Sequence, residues 1–433
     1  MLNQKDISQK FGIDIPDNTK PAEWARYYDC APPYLGSESV SDTLNLAFSA
    51  AHETARLVTL EFKSEAAAEE PDPDVFSWNK IVSDAPIYTE YACALGSVML
   101  KPYFDGEKIV TNYVRADSFF PTAFNSDGDI VGCIFADRLV KNKRYFTRLE
   151  YHRYEGDIYR VTNRAFMSDN ENQLGNEITL VTVPEWAGIE PEIGLTGITA
   201  PLFSCLSLTN KEPVFSKALD LFRNADEQYS RLLWEAKATE PAVFADVTVL
   251  RPDNDKKRSK LSRLSNRLFK LLDFGDESQI REYAPQIRDV SQINILNAIL
   301  RRAEFLCGLA YGTFSDVTDT DKTATEIKAS KQRSYATVSA IQQQLKKALE
   351  KYLIVIGELY SMYELGKVPS AVTSGVSFEF DDSLVTDAET EQKILMQEVS
   401  AGLISPVFYL QRRYGVTEEQ ALEMLPDAVP ALS

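Results

Sequence analysis

Few side chains in this sequence have the types and spacing that catalysis requires. His152 lies beside Arg153 in a stretch that alternates like a β-strand, so we interpret its imidazole as structural rather than as a general base. Asp381 and Asp382 are adjacent, and adjacent strand residues point to opposite faces, which does not suit a shared metal ion. No Walker A, G-x-S-x-G or Rossmann glycine pattern occurs. We therefore predict no enzymatic activity, no catalytic residue, no metal site and no cofactor.

The five cysteines occur singly and form no C-x-x-C pair. This spacing predicts neither a zinc site nor a disulfide framework, and it favours buried thiols in a reducing compartment. The first residues do not have the basic and apolar order of a signal peptide, and no window approaches the apolar length of a membrane span. We therefore expect no membrane contact.

The chain carries a formal net charge of −18 at pH 7. A protein that grips nucleic acid needs a basic face to neutralise phosphates, so this balance argues against simple nucleic-acid binding. The charge is compatible with a surface along which nucleic acid slides, because an acidic wall repels the phosphate backbone.

One segment departs from the acidic background. Residues 251–270 contain eight positive and two negative side chains, and the leucines at 261, 264, 268 and 271 share one helical face. We predict a basic helix over residues 256–272. The stripe beside the leucines is formed by Lys256, Lys257, Arg258, Lys260, Arg263, Arg267 and Lys270. It is either a solvated face or a surface that meets DNA or an acidic docking partner.

A second candidate is a polar loop near residue 312. Its side chains are small, hydroxylated or acidic, with one lysine inside the loop and another in the following helix. They are Thr313, Phe314, Ser315, Asp316, Thr318, Asp319, Asp321, Lys322 and Lys328. The spacing of the acids does not match a calcium loop. The residue types alone allow either a surface connector or a mobile polar rim.

The element that follows this loop is the longest in the chain. Residues 323–326 (TATE) form a capping box, and apolar residues then recur in steps of three and four until about residue 363. This pattern predicts a helix of about 40 residues, or about 60 Å. A helix of this length must pack along something equally extended.

The remaining sequence predicts an α+β protein that is mainly helical. Helices are expected at 41–60, capped by Asp42, at 75–94, at 214–237 and at 290–310. Residues 97–167 predict an antiparallel β-module, with a strand ending at 119–121 and a hairpin turning at 155–157. Strands are also expected at 178–183, 242–250 and 375–382, a break at 281–285, and short helices before Gly402, after Ser405 and after Thr417.

Several segments together resemble a known family. These are GLAYGTFS at 308–315 before the long helix, FDDS at 380–383, VSAGLIS at 399–405 and YGVTEEQA at 414–421. Residues 113–134 (YVRADSFFPTAFNSDGDIVGCI) are similar to the middle β-region of the same family. In order and spacing these segments resemble the portal proteins of tailed bacteriophages, of the kind found in siphophages of Gram-positive hosts.

The resemblance implies a division of the chain into regions of a portal subunit. It implies a β-rich wing at 1–212, stem helices at 213–237 and 286–310, a small α/β clip at 238–285, a tunnel loop at 311–322, a long wing helix at 323–365 and a short helical crown at 366–433.

The resemblance also implies a function and partners. The family forms a homo-oligomeric ring of twelve subunits at a capsid vertex, assembled in the host bacterial cytoplasm, through which double-stranded DNA is packaged and ejected. Its implied partners are the terminase large subunit, a head-completion adaptor, and the major capsid and scaffolding proteins. Two other interpretations remain: another oligomeric phage head or connector protein, and a metal-dependent nuclease.

Overall fold

The computed structural model describes residues 2, 4–16, 20–68, 71–239, 242–246, 269–272, 280–283, 288–316, 324–380, 395–414 and 418–423. Within this part of the chain, helices combine with largely antiparallel sheets, so the α+β class predicted from the sequence is confirmed. The helices are α1 (Gln4–Phe11), α2 (Lys20–Tyr28), α3 (Leu46–Thr59), α4 (Trp78–Ser83), α5 (Ala85–Leu95), α6 (Leu219–Ala238), α7 (Asp289–Cys307), α8 (Ala324–Tyr363), α9 (Ser370–Thr373), α10 (Pro406–Tyr414) and α11 (Glu418–Glu423).

The strands form four sheets. They are β1 (Phe62–Lys63), β2 (Ser97–Phe104), β3 (Ile109–Arg115), β4 (Phe119–Phe124), β5 (Ile130–Lys141), β6 (Arg144–Glu155), β7 (Ile158–Ser168), β8 (Asn176–Ile178), β9 (Glu192–Thr196), β10 (Ser204–Ser207), β11 (Ala242–Asp246), β12 (Phe269–Leu272), β13 (Ile280–Tyr283) and β14 (Glu379–Phe380). The largest sheet has the order β4-β5-β6-β7-β8, with β9 paired to β7. The others have the orders β10-β2-β3, β12-β11-β13 and β1-β14.

The long hairpin β6–β7 forms the centre of the largest sheet. Its register runs from Glu155 opposite Ile158 to Tyr145 opposite Ser168, which confirms the turn predicted at residues 155–157. Gly156 has a φ of 61°, a left-handed conformation that glycine adopts without steric cost. Alternating side chains of both strands are buried, so the hairpin presents one face to the core.

The long helix α8 is the main support of the core. It contains 40 residues, as its periodicity predicts, and it packs on β2, β10 and α3. The buried side chains follow the predicted apolar face: Val338, Ile341, Leu345, Leu349, Tyr352, Ile356 and Leu359. Each fully buried aliphatic side chain of this size contributes about 1.5–3 kcal/mol. The face therefore holds α8 firmly against the β10-β2-β3 sheet and α3.

Two helices in the first hundred residues differ from the predicted ones, one in where it begins and the other in being divided. The first, α3, begins at Leu46 rather than at residue 41, and Asp42 does not cap it. The segment before α3 is hydrogen-bonded to α6 instead of continuing the helix. The buried carboxylate of Asp226 accepts hydrogen bonds from the Thr43 hydroxyl and the Leu44 amide. The helix predicted at 75–94 is divided at Asp84 into α4 and α5, since a proline in the first turn of α5 cannot continue the α4 ladder.

The insertion between α6 and α7 also differs from expectation. Residues 269–272 form strand β12, which pairs in parallel with β11, so the predicted basic helix does not extend to residue 272. Residues 281–283 belong to the break predicted at 281–285, but they lie in strand β13, which is antiparallel to β11. The leucine spacing favoured a helix, but β12 and β13 gain backbone hydrogen bonds by pairing with β11.

Three shorter predictions in the β-regions were also wrong in detail. Residues 119–121 begin β4 instead of ending a strand; Pro121 is tolerated there because β4 is the edge of its sheet. Of residues 178–183, only Ile178 is in a strand, and Leu180–Thr182 forms a 3-10 turn ahead of Pro184. Of the strand expected at 375–382, residues 375–380 are described, and among these only the two residues of β14 form a strand.

A buried charged cluster connects the largest sheet to its neighbour. The carboxylate of Glu150 accepts hydrogen bonds from Lys101 Nζ at 2.6 Å, His152 Nε2 at 2.7 Å and an Arg148 guanidinium nitrogen at 3.0 Å. Tyr159 Oη accepts a hydrogen bond from the Leu202 backbone amide. The same oxygen lies 2.9 Å from His152 Nδ1, so the phenol donates its hydrogen to a neutral imidazole. Burial lowers the pKa of His152 despite the nearby carboxylate.

The lowered pKa of His152 predicts a pH-dependent stability. Below the ordinary histidine pKa of 6.5, His152 is protonated more readily in the unfolded chain than in the folded chain. The free energy of unfolding therefore decreases as pH falls. We expect His152→Gln to be less stable than the parent at pH 7.5, by about 1–3 kcal/mol, and to lose less further stability between pH 7 and pH 5. Urea unfolding at both pH values measures this, with the exposed His52→Gln as control. Equal pH slopes in parent and His152→Gln would contradict it.

Candidate functional site

Helices α6 and α7 form an antiparallel pair that leads into the polar loop. Gln228 of α6 donates to the backbone carbonyl of Gln292 on α7. Further along α6, the buried Glu235 carboxylate accepts hydrogen bonds from Arg288 Nε at 3.1 Å and from the Gln292 amide at 3.1 Å. The Arg288 hydrogen bonds lower the pKa of Glu235. These polar contacts fix the register of the two helices near the end where the β11–β13 insertion begins.

At the opposite end of α7, Gly308 turns the chain towards the loop. Gly308 has a φ of 72°, and the Leu309 amide donates to the Glu304 carbonyl at 2.9 Å, which closes the helix. A Cβ at this position would lie 2.4 Å from Thr337 Oγ1 on α8. The close approach of α7 to α8 therefore requires glycine here.

The loop base is organised by one buried carboxylate. Glu304 has no exposed surface. Its Oε1 accepts hydrogen bonds from the backbone amides of Gly312 at 3.2 Å, Phe314 at 2.6 Å and Ser315 at 2.8 Å. The Ser315 hydroxyl lies 3.0 Å from Oε2. Hydrogen bonds to an ionised acceptor are stronger than neutral ones. The side chain thus holds residues 312–315 in a fixed turn around itself.

Sequence reasoning missed Glu304, although a signal was present. The residue lies on the same helical face as Leu300, Ala303 and Cys307, all of which are buried. An acid among apolar positions of a helix face must be hydrogen-bonded if it is buried. The four backbone and side-chain donors that satisfy it come from the adjacent loop.

The structure brings the first four predicted loop residues together. Thr313 donates its hydroxyl to the Ala310 carbonyl at 2.6 Å, the Phe314 side chain packs against the main core, and Ser315 is buried. Asp316 is exposed, its amide donates to the Asn297 side chain at 3.2 Å, and its carbonyl accepts from Arg301. The remaining loop candidates, Thr318, Asp319, Asp321 and Lys322, lie outside the described residues. Of Lys328, only the backbone in α8 is described.

The basic stripe is mostly outside the described part of the chain. This holds for Lys256, Lys257, Arg258, Lys260, Arg263 and Arg267. Lys270 lies in β12, opposite Phe244 of β11, so it does not continue a helical stripe.

Large apolar side chains are exposed on the α6–α7 pair, near the insertion. Trp234 is 70% exposed on α6, and Val290 and Ile295 are 66% and 50% exposed on α7. Trp234 and Val290 are next in sequence to residues near the Glu235–Arg288 contact, and large exposed apolar side chains of this kind are typical of an association site.

Among the described residues, no group of three or more His, Cys, Asp or Glu side chains is arranged to hold a metal ion. No helix in the same part of the chain combines the length and apolar character needed to cross a membrane.

Comparison with known proteins gives a match over most of the chain. The family model described as phage portal protein, SPP1 Gp6-like, matches residues 57–428. No curated protein sequence matches. Among solved structures, a chain from the virion of a native gene transfer agent particle is 10% identical, with 95% of this chain and 98% of that chain covered and a TM-score of 0.49. At that identity and score, the structural likeness alone does not establish a shared function.

The geometry of the loop base predicts the effect of removing the Glu304 charge. In Glu304→Gln, the side-chain NH₂ group would replace one of the oxygens that accept hydrogen bonds from the loop. Some of the buried donors would then have no acceptor. We expect a loss of about 1–3 kcal/mol in stability, with faster hydrogen exchange at the amides of Phe314 and Ser315. Denaturant unfolding and hydrogen-exchange mass spectrometry measure the two effects. Glu350→Gln, an exposed change on α8, is the matched control. Unchanged protection of the loop amides would show that Glu304 does not anchor it.

Proposed function

Because the chain belongs to the SPP1 Gp6-like family of phage portal proteins, we propose that it is the subunit of a closed homo-oligomeric ring through which double-stranded DNA enters and leaves a capsid. The observation that carries this proposal is the family match over residues 57–428, which includes α8 and the loop before it. The match also confirms the resemblance drawn from the sequence motifs.

The family consists of structural proteins rather than enzymes, which confirms the prediction that this chain has no catalytic role. In our proposal, the ATP-driven work of packaging belongs to a separate motor. The ring contributes a fixed opening, an acidic surface and a docking face, so its mechanism is one of geometry and electrostatics.

We assign the regions of the subunit as the sequence analysis predicts. Residues 1–212 would form the wing, α6 and α7 the stem, the β11–β13 insertion the clip, residues 311–322 the tunnel loop, α8 the long wing helix and residues 366–433 the crown. Supporting features are the antiparallel α6–α7 pair, the insertion that begins and ends at one end of that pair, and the loop at the other end.

The exposed apolar residues of α6 and α7 support self-association. Trp234 and Val290 are each more than half exposed in the single subunit. A ring would bury them against the next copy, and one such surface repeated around a rotation axis closes the assembly. We propose a ring of twelve copies.

The loop supports a role in the channel. Small hydroxyl and acidic side chains would touch a duplex without gripping it, in keeping with the net charge of −18. Glu304 fixes the loop base through Gly312 and Ser315, so the loop would keep its position relative to the stem while DNA passes.

We further propose that the basic segment at 251–270 contacts either the DNA or the docking partners. The partners would be the terminase large subunit during packaging and a head-completion adaptor afterwards, with major capsid and scaffolding proteins around the wing. Repetition of the segment in a ring multiplies its local positive charge, which strengthens its attraction for acidic partners.

The first test concerns ring assembly. We expect the purified chain to form rings in negative-stain microscopy, with a mass in mass photometry that is a multiple of 48.7 kDa. Trp234→Asp should shift the population towards monomer by at least about tenfold, because a desolvated charge opposes burial at the interface. Val181→Asp is the matched control, since Val181 is 71% exposed, close to the 70% of Trp234. A monodisperse monomer for the parent chain, or equal assembly of Trp234→Asp and parent, would contradict the proposed interface.

The second test concerns the basic segment. We expect Arg263→Glu combined with Arg267→Glu to reduce the DNA packaged per capsid while rings remain intact, because charge reversal repels both DNA and an acidic partner. Quantitative PCR of nuclease-protected DNA measures packaging, and negative-stain images establish ring integrity. Lys63→Glu combined with Lys80→Glu, two exposed positions on the proposed wing, is the control. Normal packaging by the arginine variant would mean that the stripe is only a solvated face.

A further inference from the structure

An arginine–aromatic cluster lies beside the loop, and the motifs recognised in the sequence do not include it. We define it as Arg302, Phe305, Tyr311 and Arg333. The Arg302 guanidinium carbon is 4.9 Å from the Phe305 ring centroid, and that of Arg333 is 4.2 Å from the same centroid and 5.4 Å from the Tyr311 ring. Two cations therefore share one aromatic ring, and the ring stacking holds their planes in place.

The cluster has an unbalanced positive charge. Within the described part of the chain, neither Arg302 nor Arg333 has a carboxylate at ion-pair distance, although acids outnumber bases by 64 to 46 in the sequence. Other arginines are paired: Arg160 contacts Glu155 and Glu192, and Arg164 contacts Glu177. Two like charges on one ring repel each other, so an anion beside them would be stabilising.

A second observation points to an anionic ligand. The Nη1 atom of Arg333 is buried and finds no hydrogen-bond acceptor among the described residues. Buried polar atoms in proteins are rarely left without a partner, and a guanidinium presents its donors in a planar fork that matches a phosphate group. Arg302 is exposed, so a phosphate can approach the cluster at the Arg302 guanidinium.

The cluster is rigidly connected to the loop. Tyr311 is itself a loop residue, and Gly308 brings the end of α7 against α8 four residues after Arg333, at Thr337. The neighbouring Arg301 donates to the Asp316 carbonyl at 3.4 Å. The cluster and the Glu304-anchored turn thus lie at the same end of α7.

We propose that this arginine–aromatic cluster binds phosphate groups of the DNA backbone as the duplex passes the loop. The inference rests on the proposed function and extends it, because the loop predicted from the sequence contains mostly hydroxyl and acidic side chains. A few cations placed beside an acidic loop would give each subunit a weak, reversible hold on the backbone. Backbone contacts of this kind carry no base specificity, which suits a channel that must pass any sequence.

The experiment uses assembled rings of the full-length chain and a fluorescent 30-base-pair duplex as probe. Fluorescence anisotropy between about 25 and 200 mM salt gives the affinity and its salt dependence, whose slope reports the number of phosphates neutralised. We expect Arg302→Gln to weaken binding at least fivefold and to reduce the slope. Arg333→Gln should do the same, and Arg302→Lys should recover part of the loss. The control is Arg56→Gln, an exposed arginine paired with Glu53 on α3.

The outcomes separate this inference from the proposed function. Rings of parent protein that bind the duplex, with weakened binding in Arg302→Gln rings, support the cluster. Rings that bind equally well with and without Arg302 overturn it and leave the ring function standing. Parent rings that bind no duplex also overturn it. Loss of rings in Arg302→Gln would instead identify the cluster as a contact to an acidic face of the neighbouring copy. Failure of the parent chain to form rings would contradict the proposed function itself.

Discussion

The burial of one face of α8 is the constraint on which the rest of the structure depends. Helix propensity alone does not account for forty residues of continuous helix, and its stability comes from packing Leu345, Leu349 and Ile356 against the β10-β2-β3 sheet and α3. The helix also provides the wall against which α7 ends, since Thr337 leaves room only for glycine at position 308. The position of the loop is therefore set by α8 and not by the loop residues themselves.

Electrostatics divides the chain into surfaces with different roles. The net charge of −18 makes most of the exterior repel a phosphate backbone, so local cations are significant where they occur. Inside the subunit, charges are paired and hydrogen-bonded, as at Glu150 with Lys101 and at Glu304 with the loop amides. The buried carboxylate at 304 fixes a turn, and the neighbouring Arg302 is exposed. An acidic ring with a few cations beside its loop would guide DNA without retaining it.

Much of the fold could be predicted from the sequence where periodicity was long. The 40 residues of α8 and the β6–β7 hairpin followed from spacing and turn residues. Predictions failed where tertiary bonding overrode local pattern. Asp226 draws Thr43 and Leu44 away from the start of α3, and pairing with β11 makes a strand of residues 269–272. The burial of Glu304 had a signal in its apolar helix face, but its loop partners and the arginine–aromatic cluster could not be predicted, because each joins residues from separate elements.

The central claim is that copies of this chain close into a ring with the Glu304-anchored loop on its inner surface. A cryo-EM reconstruction of the purified assembly tests it most directly. The account predicts a closed ring in which residues 312–316 line the narrowest part of a central channel and α6–α7 pairs of adjacent subunits pack together. A ring with this loop on its outer surface, or an assembly without a central channel, would contradict it.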